Sequence, residues 1–278
     1  MTKQSALENG KMAEHLYRNL VNAEKPFLIA GPCVIESLDH SLFMAERIKK
    51  ICEKHDTEFI FKSSFDKANR TKLKNYRGLG LSESVRIFEK LKKELDVNIC
   101  TDFHEPWQAK EIKDVIDVLQ IPAFLCRQTD MIVSAAKTNK IVNIKKGQFI
   151  SGYDTERVVN KAFLSGNKKI FLTERGNNFG YGDYIVDFRN IQIMKNYAPV
   201  IFDLGHSLQK GCSGGSSGSN MEYSETLLRA ALATGVSGIF MEVHDDPKNA
   251  LSDGSTSIKL SNLDVLLERN KYLWRKFK

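Results

Sequence analysis

Four residues in this sequence offer the donor atoms of a divalent-metal site. Cys33, His206, Glu242 and Asp253 would supply a thiolate, an imidazole and two carboxylates, a mixed S, N and O set. They follow no local spacing of the zinc-finger kind, so the set needs a fold that brings distant segments together. Plainer roles compete: Cys33 as a small buried hydrophobe, His206 as a hydrogen-bonded structural residue. His104 and His244 are rival imidazoles.

A second group could bind anions. The stretch FKSSFDKANRTKLKNYRG carries Lys62, Lys67, Arg70, Lys72, Lys74 and Arg77, and Lys145, Lys146 and Arg175 follow later. Arginine clamps a phosphate or carboxylate through two parallel N–H bonds, whereas lysine acts as a point charge. Lys72 and Lys74 fall in a charged loop and read as solvated. Lys62, Lys145 and Arg175 emerge from apolar runs, where a charge must find a partner or water. Two separated basic clusters suit two anionic substrates. The segment GSSGS lacks the lysine ending of a phosphate loop, RGLG is a turn signal, and Cys212 in CSGG reads as an ordinary exposed thiol in a flexible loop.

These residues need elements to carry them. Eight mostly apolar runs begin at Pro26, Glu58, Val97, Asp117, Lys140, Lys169, Pro199 and Gly238. Helical periodicity separates most of them. In LSESVRIFEKLKKEL, Leu81, Val85, Phe88, Leu91 and Leu95 share one face, with Ser82 as the expected cap. In YSETLLRAALATG, Gly235 suits a helix end. Ile-, Val- and Phe-rich strands alternating with helices predict a parallel sheet buried on both faces, and eight units favour a closed (β/α)8 TIM barrel over an open doubly wound sheet. No dinucleotide glycine motif follows the first strand. The expected layout is an N-terminal extension over 1–25, with an amphipathic helix including Met12, Leu16 and Leu20 that caps or docks on the barrel, then the catalytic barrel over 26–278. Nearly all candidate residues sit at strand ends, which would converge on one rim. The Gly/Ser stretch over 211–220 reads as a mobile loop on that rim.

Composition narrows the partners. The 278 residues are 42% hydrophobic and 27% charged, which excludes global disorder and allows one large core. The formal charge of +7 could serve nucleic acid, a membrane surface or small anions. Basic residues are mixed with acidic ones, as in Glu89, Lys90, Lys92, Lys93 and Glu94, which predicts solvated helix faces and no nucleic-acid partner. No apolar run is long enough to span a bilayer and no signal-peptide core opens the chain, so no membrane partner is expected. Five dispersed cysteines predict a reducing, cytoplasmic compartment.

The motifs LIAGPCVIES, FKSSFDKANR, TDFHEP, LQIPAFLCRQTD, NIKKGQF, FDLGHSLQ and MEVHDDP, in this order, resemble the 3-deoxy-D-manno-octulosonate 8-phosphate synthase family over about 26–260. That resemblance implies a transferase of lipopolysaccharide sugar biosynthesis, joining phosphoenolpyruvate, D-arabinose 5-phosphate and water. It implies that Lys62, Lys67, Lys145 and Arg175 hold phosphoenolpyruvate and that Asn69, Arg70 and Thr71 contact the sugar phosphate. Asp102 and Gln120 would line the reaction centre, with Asp102, His206 and Lys145 as catalytic candidates. Cysteine after GP implies the metal-dependent form, with Cys33, His206, Glu242 and Asp253 as ligands to Zn, Fe, Mn or Co. A homo-oligomer, commonly a tetramer, is implied. Related 3-deoxy-D-arabino-heptulosonate 7-phosphate synthases share the barrel and phosphoenolpyruvate chemistry but carry a different basic motif at FDKANR. This sequence departs from the octulosonate pattern at Gly205, where threonine is usual, and at Met221, which stands near an expected arginine.

Overall fold

Each of the eight apolar runs becomes a strand: β1 Phe27–Gly31, β2 Phe59–Lys62, β3 Asn98–Asp102, β4 Val118–Ile121, β5 Ile141–Lys145, β6 Ile170–Glu174, β7 Val200–Asp203 and β8 Gly238–His244. They pair in parallel in this order, and β1 also pairs with β8, Phe27 lying opposite Gly238, so the sheet closes. The open doubly wound alternative is thereby excluded. The chain is a (β/α)8 TIM barrel. The computed structural model describes residues 3–180, 182–213 and 216–276, the side chains of 3–9, 211–213 and 216–217 excepted.

Strand alternation decides what enters the barrel. Phe27, Ile29, Ile60, Cys100, Val118, Ile141, Phe171, Ile201 and Phe240 form one buried cluster in its lower half. Leu20 closes that cluster from below, on helix α1 (Lys3–Asn22), and Tyr17 on the same helix donates to the Ile170 carbonyl at 3.1 Å. The helix therefore docks through Leu16, Tyr17 and Leu20. Met12 does not take part; it is 68% exposed, and Ala13 is buried in its place.

Two residues further along every strand but β1, the same face turns polar. Ile60 is followed by Lys62, Cys100 by Asp102, Val118 by Gln120, Ile201 by Asp203 and Phe240 by Glu242. On β4, β5 and β6 the first polar positions are neutral: Thr173 Oγ1 donates to Asn143 Oδ1 at 2.7 Å, and Asn143 donates to Gln120 at 3.1 Å. Buried amides are thus satisfied by one another, as their desolvation demands.

The strands' other faces pack on the surrounding helices, among them α2 (Leu38–Lys54) and α3 (Leu81–Leu95). The predicted face of α3 is the packed one, but its cap differs. The helix starts at Leu81 after Gly80, whose φ is +78°, and Ser82 is exposed inside the first turn. Gly235, at φ +70°, does follow the end of the helix Ser224–Ala233. The Gly/Ser stretch expected as a mobile loop pairs as an antiparallel hairpin, Gln209–Ser213 with Ser216–Ser219, Cys212 opposite Ser217. The side chain of Cys212 lies outside the described residues. Cys33, Cys52, Cys100 and Cys126 are buried free thiols. Among the described residues no helix is long and apolar enough to cross a membrane.

Candidate active site

The charged ends of the strands surround a cavity of about 620 Å³ at the carboxyl mouth of the barrel. Lys62, Lys67, Asn69, Arg70, Thr71, Asp102, Gln120, Lys145, Arg175, His206, Glu242 and Asp253 all line it, so the fold unites every predicted site residue except Cys33 on this surface. Cys33 stands immediately behind the wall, its Sγ 3.0 Å from Asp253 Oδ2.

On one side Lys62 is 2% exposed and donates to Ser64 Oγ at 2.9 Å and to the Cys33 carbonyl at 3.3 Å. Its Nζ lies 3.6 Å from Asp102, which also accepts from Ser64. Burial alone would raise the Asp102 pKa; Lys62, Lys67 and His104 outweigh it and hold the carboxyl well below its ordinary range. Burial likewise disfavours the Lys67 ammonium, but Cys33, Asp102, Glu242 and Asp253 raise its pKa well above normal. Lys145 Nζ sits 2.5 Å from Asp203 and 3.6 Å from the centre of the Phe240 ring. Burial draws Lys145 down. Asp203, which burial would raise, is held far down by His206 and Lys145 and stays ionised.

Two arginines expose the character of the cavity. Arg175 is 5% exposed, donates through Nη2 to Gln209 at 3.1 Å and lies 4.8 Å from the Tyr184 ring centre. Its Nη1 is buried with no protein partner. Arg70 donates through Nη1 to Ser252 at 2.5 Å and is 3.8 Å from Asp253, while its Nε is buried and unpartnered. Buried donors normally find acceptors, so unfilled guanidinium N–H groups in a basic cavity mark places for anionic oxygens. Lys72 and Lys74 are exposed and do not line the cavity. Arg77 is bound to Asp66 at 2.5 Å. Lys146 turns away from Lys145 by strand alternation; its Nζ is buried 3.5 Å from Glu174 and donates to the Gly176 carbonyl and to Asn177.

The donor atoms of Cys33, Glu242 and Asp253 all lie within 4.8 Å of one another. His206 Nε2 is 3.9 Å from Glu242, and its Nδ1 is 3.0 Å from Asp203, which fixes the ring. Asp253 is held at φ +48°, left-handed for a non-glycine residue. Its pKa falls to about 2, because Lys67 and His206 overcome the effect of burial. Burial, then Asp253 and Glu242, push the Cys33 thiol well up. Glu242 Oε1 is buried with no hydrogen-bond partner. A thiol, an imidazole and two carboxylates, one with an orphaned oxygen, fit a divalent cation, which would neutralise the carboxylates and take the place of the thiol proton. The rival imidazoles point elsewhere: His104 to Asp102 at 3.3 Å, His244 to Glu36 at 3.1 Å. Ser252, 3.3 Å from Cys33 Sγ and bound to Arg70, was not legible in the sequence, where one serine carries no signal. Tyr184 and Gln209, which fix Arg175, lie on loop hairpins whose pairing composition does not reveal.

Residues 20–276 match the model of the DAHP synthetase I family. Among curated relatives, the chain is 53% identical to the 2-dehydro-3-deoxyphosphooctonate aldolase of Trichlorobacter lovleyi, over 87% of this chain and 90% of the relative. It is 51% identical to the protein of that name from Koribacter versatilis, over 89% and 90% of the two chains. The Rickettsia prowazekii protein of the same name is also 51% identical, over 88% and 90%.

Proposed function

The chain belongs to the DAHP synthetase I family, and we propose that within it the protein condenses phosphoenolpyruvate with D-arabinose 5-phosphate and water to give 3-deoxy-D-manno-octulosonate 8-phosphate and inorganic phosphate. The relatives' name, a phosphooctonate aldolase, supports an eight-carbon phosphorylated product. The observation that carries the reading is the pair of unfilled buried arginine donors in one cavity, Arg175 Nη1 just after β6 and Arg70 Nε in the loop after β2. One cavity thus has donors for two anions.

In this reading Lys62, Lys67, Lys145 and Arg175 hold phosphoenolpyruvate, and Asn69, Arg70 and Thr71 hold the sugar phosphate. Their charges neutralise both anions and fix carbon 3 of phosphoenolpyruvate against the aldehyde carbon. A carbon–carbon bond forms there, water adds its oxygen at carbon 2, and the C–O bond to phosphate breaks. Asp102, kept ionised by its lysines, accepts a hydrogen bond from the attacking water and orients it, the water's proton passes to the alkoxide formed at the aldehyde oxygen, and Gln120 orients the bound carbonyl. Lys145, on Asp203, neutralises the departing phosphate. Cys33, His206, Glu242 and Asp253 would hold Zn, Fe, Mn or Co. That cation supplies Lewis-acid stabilisation of developing oxygen charge when bound.

Buried free thiols support a cytoplasmic location. The family resemblance supports a homo-oligomer, commonly a tetramer; light scattering of the purified protein checks it. Phosphate release tests the reaction. Release with arabinose 5-phosphate and none with erythrose 4-phosphate is expected, and the reverse would move the protein to the heptulosonate reaction.

A further inference from the structure

The proposed metal donors come from three separate segments: the turn after β1, strand β8, and the loop over 245–257. One carboxylate outside the cavity touches all three. Glu36 follows Cys33 by three residues. Its Oε1 accepts the backbone N–H of Leu251 at 2.9 Å and lies 3.1 Å from His244 Nε2. Leu251 is two residues before Asp253, and His244 is two residues after Glu242. On its other nitrogen, His244 Nδ1 accepts the Asp246 N–H at 3.0 Å and lies 3.1 Å from Asp245 Oδ1; with Nδ1 accepting, Nε2 gives its hydrogen to Glu36. Neither Glu36 nor His244 lines the cavity.

The segments need such a tie. Glu242 and Asp253 bring two carboxylates within 4.8 Å of each other and of Cys33 Sγ, and the thiol's hydrogen bond to Asp253 at 3.0 Å offsets their repulsion only on one side. Asp253 is also held in a left-handed conformation. Beyond Asp253 the loop is tied to β8 by the Ile258–Val243 pairing and by Thr256 Oγ1 donating to Glu242 at 3.3 Å; ahead of Asp253, Glu36 holds it at Leu251 beside the Cys33 contact with Ser252. We propose that Glu36 is a positioning residue that sets the spacing of Cys33, Glu242 and Asp253, acting through the single acceptor oxygen shared by Leu251 and His244. This rests on the ligand assignment above, and the experiment separates the two.

Cobalt(II) added to the purified metal-free full-length protein is the probe. Thiolate-to-cobalt absorption reports Cys33, and competition with a chelator gives affinity. Outer-shell partners of metal ligands typically govern about 10–100-fold in affinity. Glu36→Ala should lose about that factor and weaken the thiolate band. Glu36→Gln keeps an acceptor oxygen at the same reach and should stay near the wild type. Glu36→Asp keeps the charge but withdraws the oxygen and should follow Glu36→Ala. Cobalt binding by Glu36→Ala and Glu36→Asp with wild-type affinity and spectrum overturns the proposal, as does a loss in Glu36→Gln equal to that in Glu36→Ala. Circular dichroism of the metal-free variants reports folding, and Glu36→Asp decides the matter if Glu36→Ala does not fold. A wild type without a thiolate band, or a band that survives Cys33→Ala, refutes the ligand assignment instead.

Discussion

Replacing Arg175 by Gln should damage function without damaging the fold, because its buried Nη1 has no protein partner and the proposed role of its guanidinium is to hold phosphoenolpyruvate. Among the described residues no carboxylate pairs with it; its contacts are Gln209 at 3.1 Å and the Tyr184 ring at 4.8 Å. An unsatisfied buried donor costs about 1–3 kcal/mol. The ring returns about 0.5–2 kcal/mol. The two nearly cancel, so stability measured by urea unfolding should be unchanged or higher by about 1 kcal/mol. Binding responds differently. A charge-assisted hydrogen bond is worth about 1.5–3 kcal/mol, or about 10–100-fold in affinity. KM for phosphoenolpyruvate in a phosphate-release assay should rise by that factor, with little change in KM for arabinose 5-phosphate. An unchanged phosphoenolpyruvate KM would refute the clamp. A loss of several kcal/mol of stability would show that Arg175 is structural.

Asp203→Asn breaks a buried pair with Lys145 and should cost about 3–5 kcal/mol in denaturant titrations, with activity falling as Lys145 and His206 lose their anchor. Asp102 has a folded pKa depressed well below its unfolded value near 3.9, so its contribution is present above about pH 4 and is lost as pH falls through the folded value. Unfolding free energy between about pH 4 and 2 should therefore fall more steeply in the wild type than in Asp102→Asn; parallel curves would contradict the assigned charge. Leu20→Ala opens the floor of the barrel and should cost about 2–5 kcal/mol, read as a lower urea midpoint with KM values intact.

The barrel was legible because its strands are buried on both faces and so read as apolar runs with sharp polar ends. All eight strands fall within those runs. Alternation could also have separated Lys145 from Lys146: adjacent strand residues face opposite ways, and only Lys145 reaches the cavity. The rim was legible in residue type but not in contact. Nothing between positions 33 and 253 in the sequence says that a thiol and a carboxylate stand 3.0 Å apart; closure of β1 on β8 brings them together. The Gly80 start of α3 and the hairpin over 209–219 escaped for the opposite reason. Their geometry is a backbone property, and serine and glycine side chains describe it poorly.

The departures at Gly205 and Met221 acquire physical content from these contacts. A Cβ at position 205 would stand 2.6 Å from the Thr256 carbonyl oxygen, closer than side-chain carbons pack. The glycine is therefore matched to a close approach between the turn before His206 and the turn after Asp253. A threonine there would have to push apart two segments that each carry a proposed ligand, so the usual residue does not fit this backbone unless one of them shifts. Met221 opens a short helical turn, packs against the apolar core and does not line the cavity. Among the described residues the charge placed at this side of the mouth is that of Arg175, held by Gln209 at the base of the hairpin.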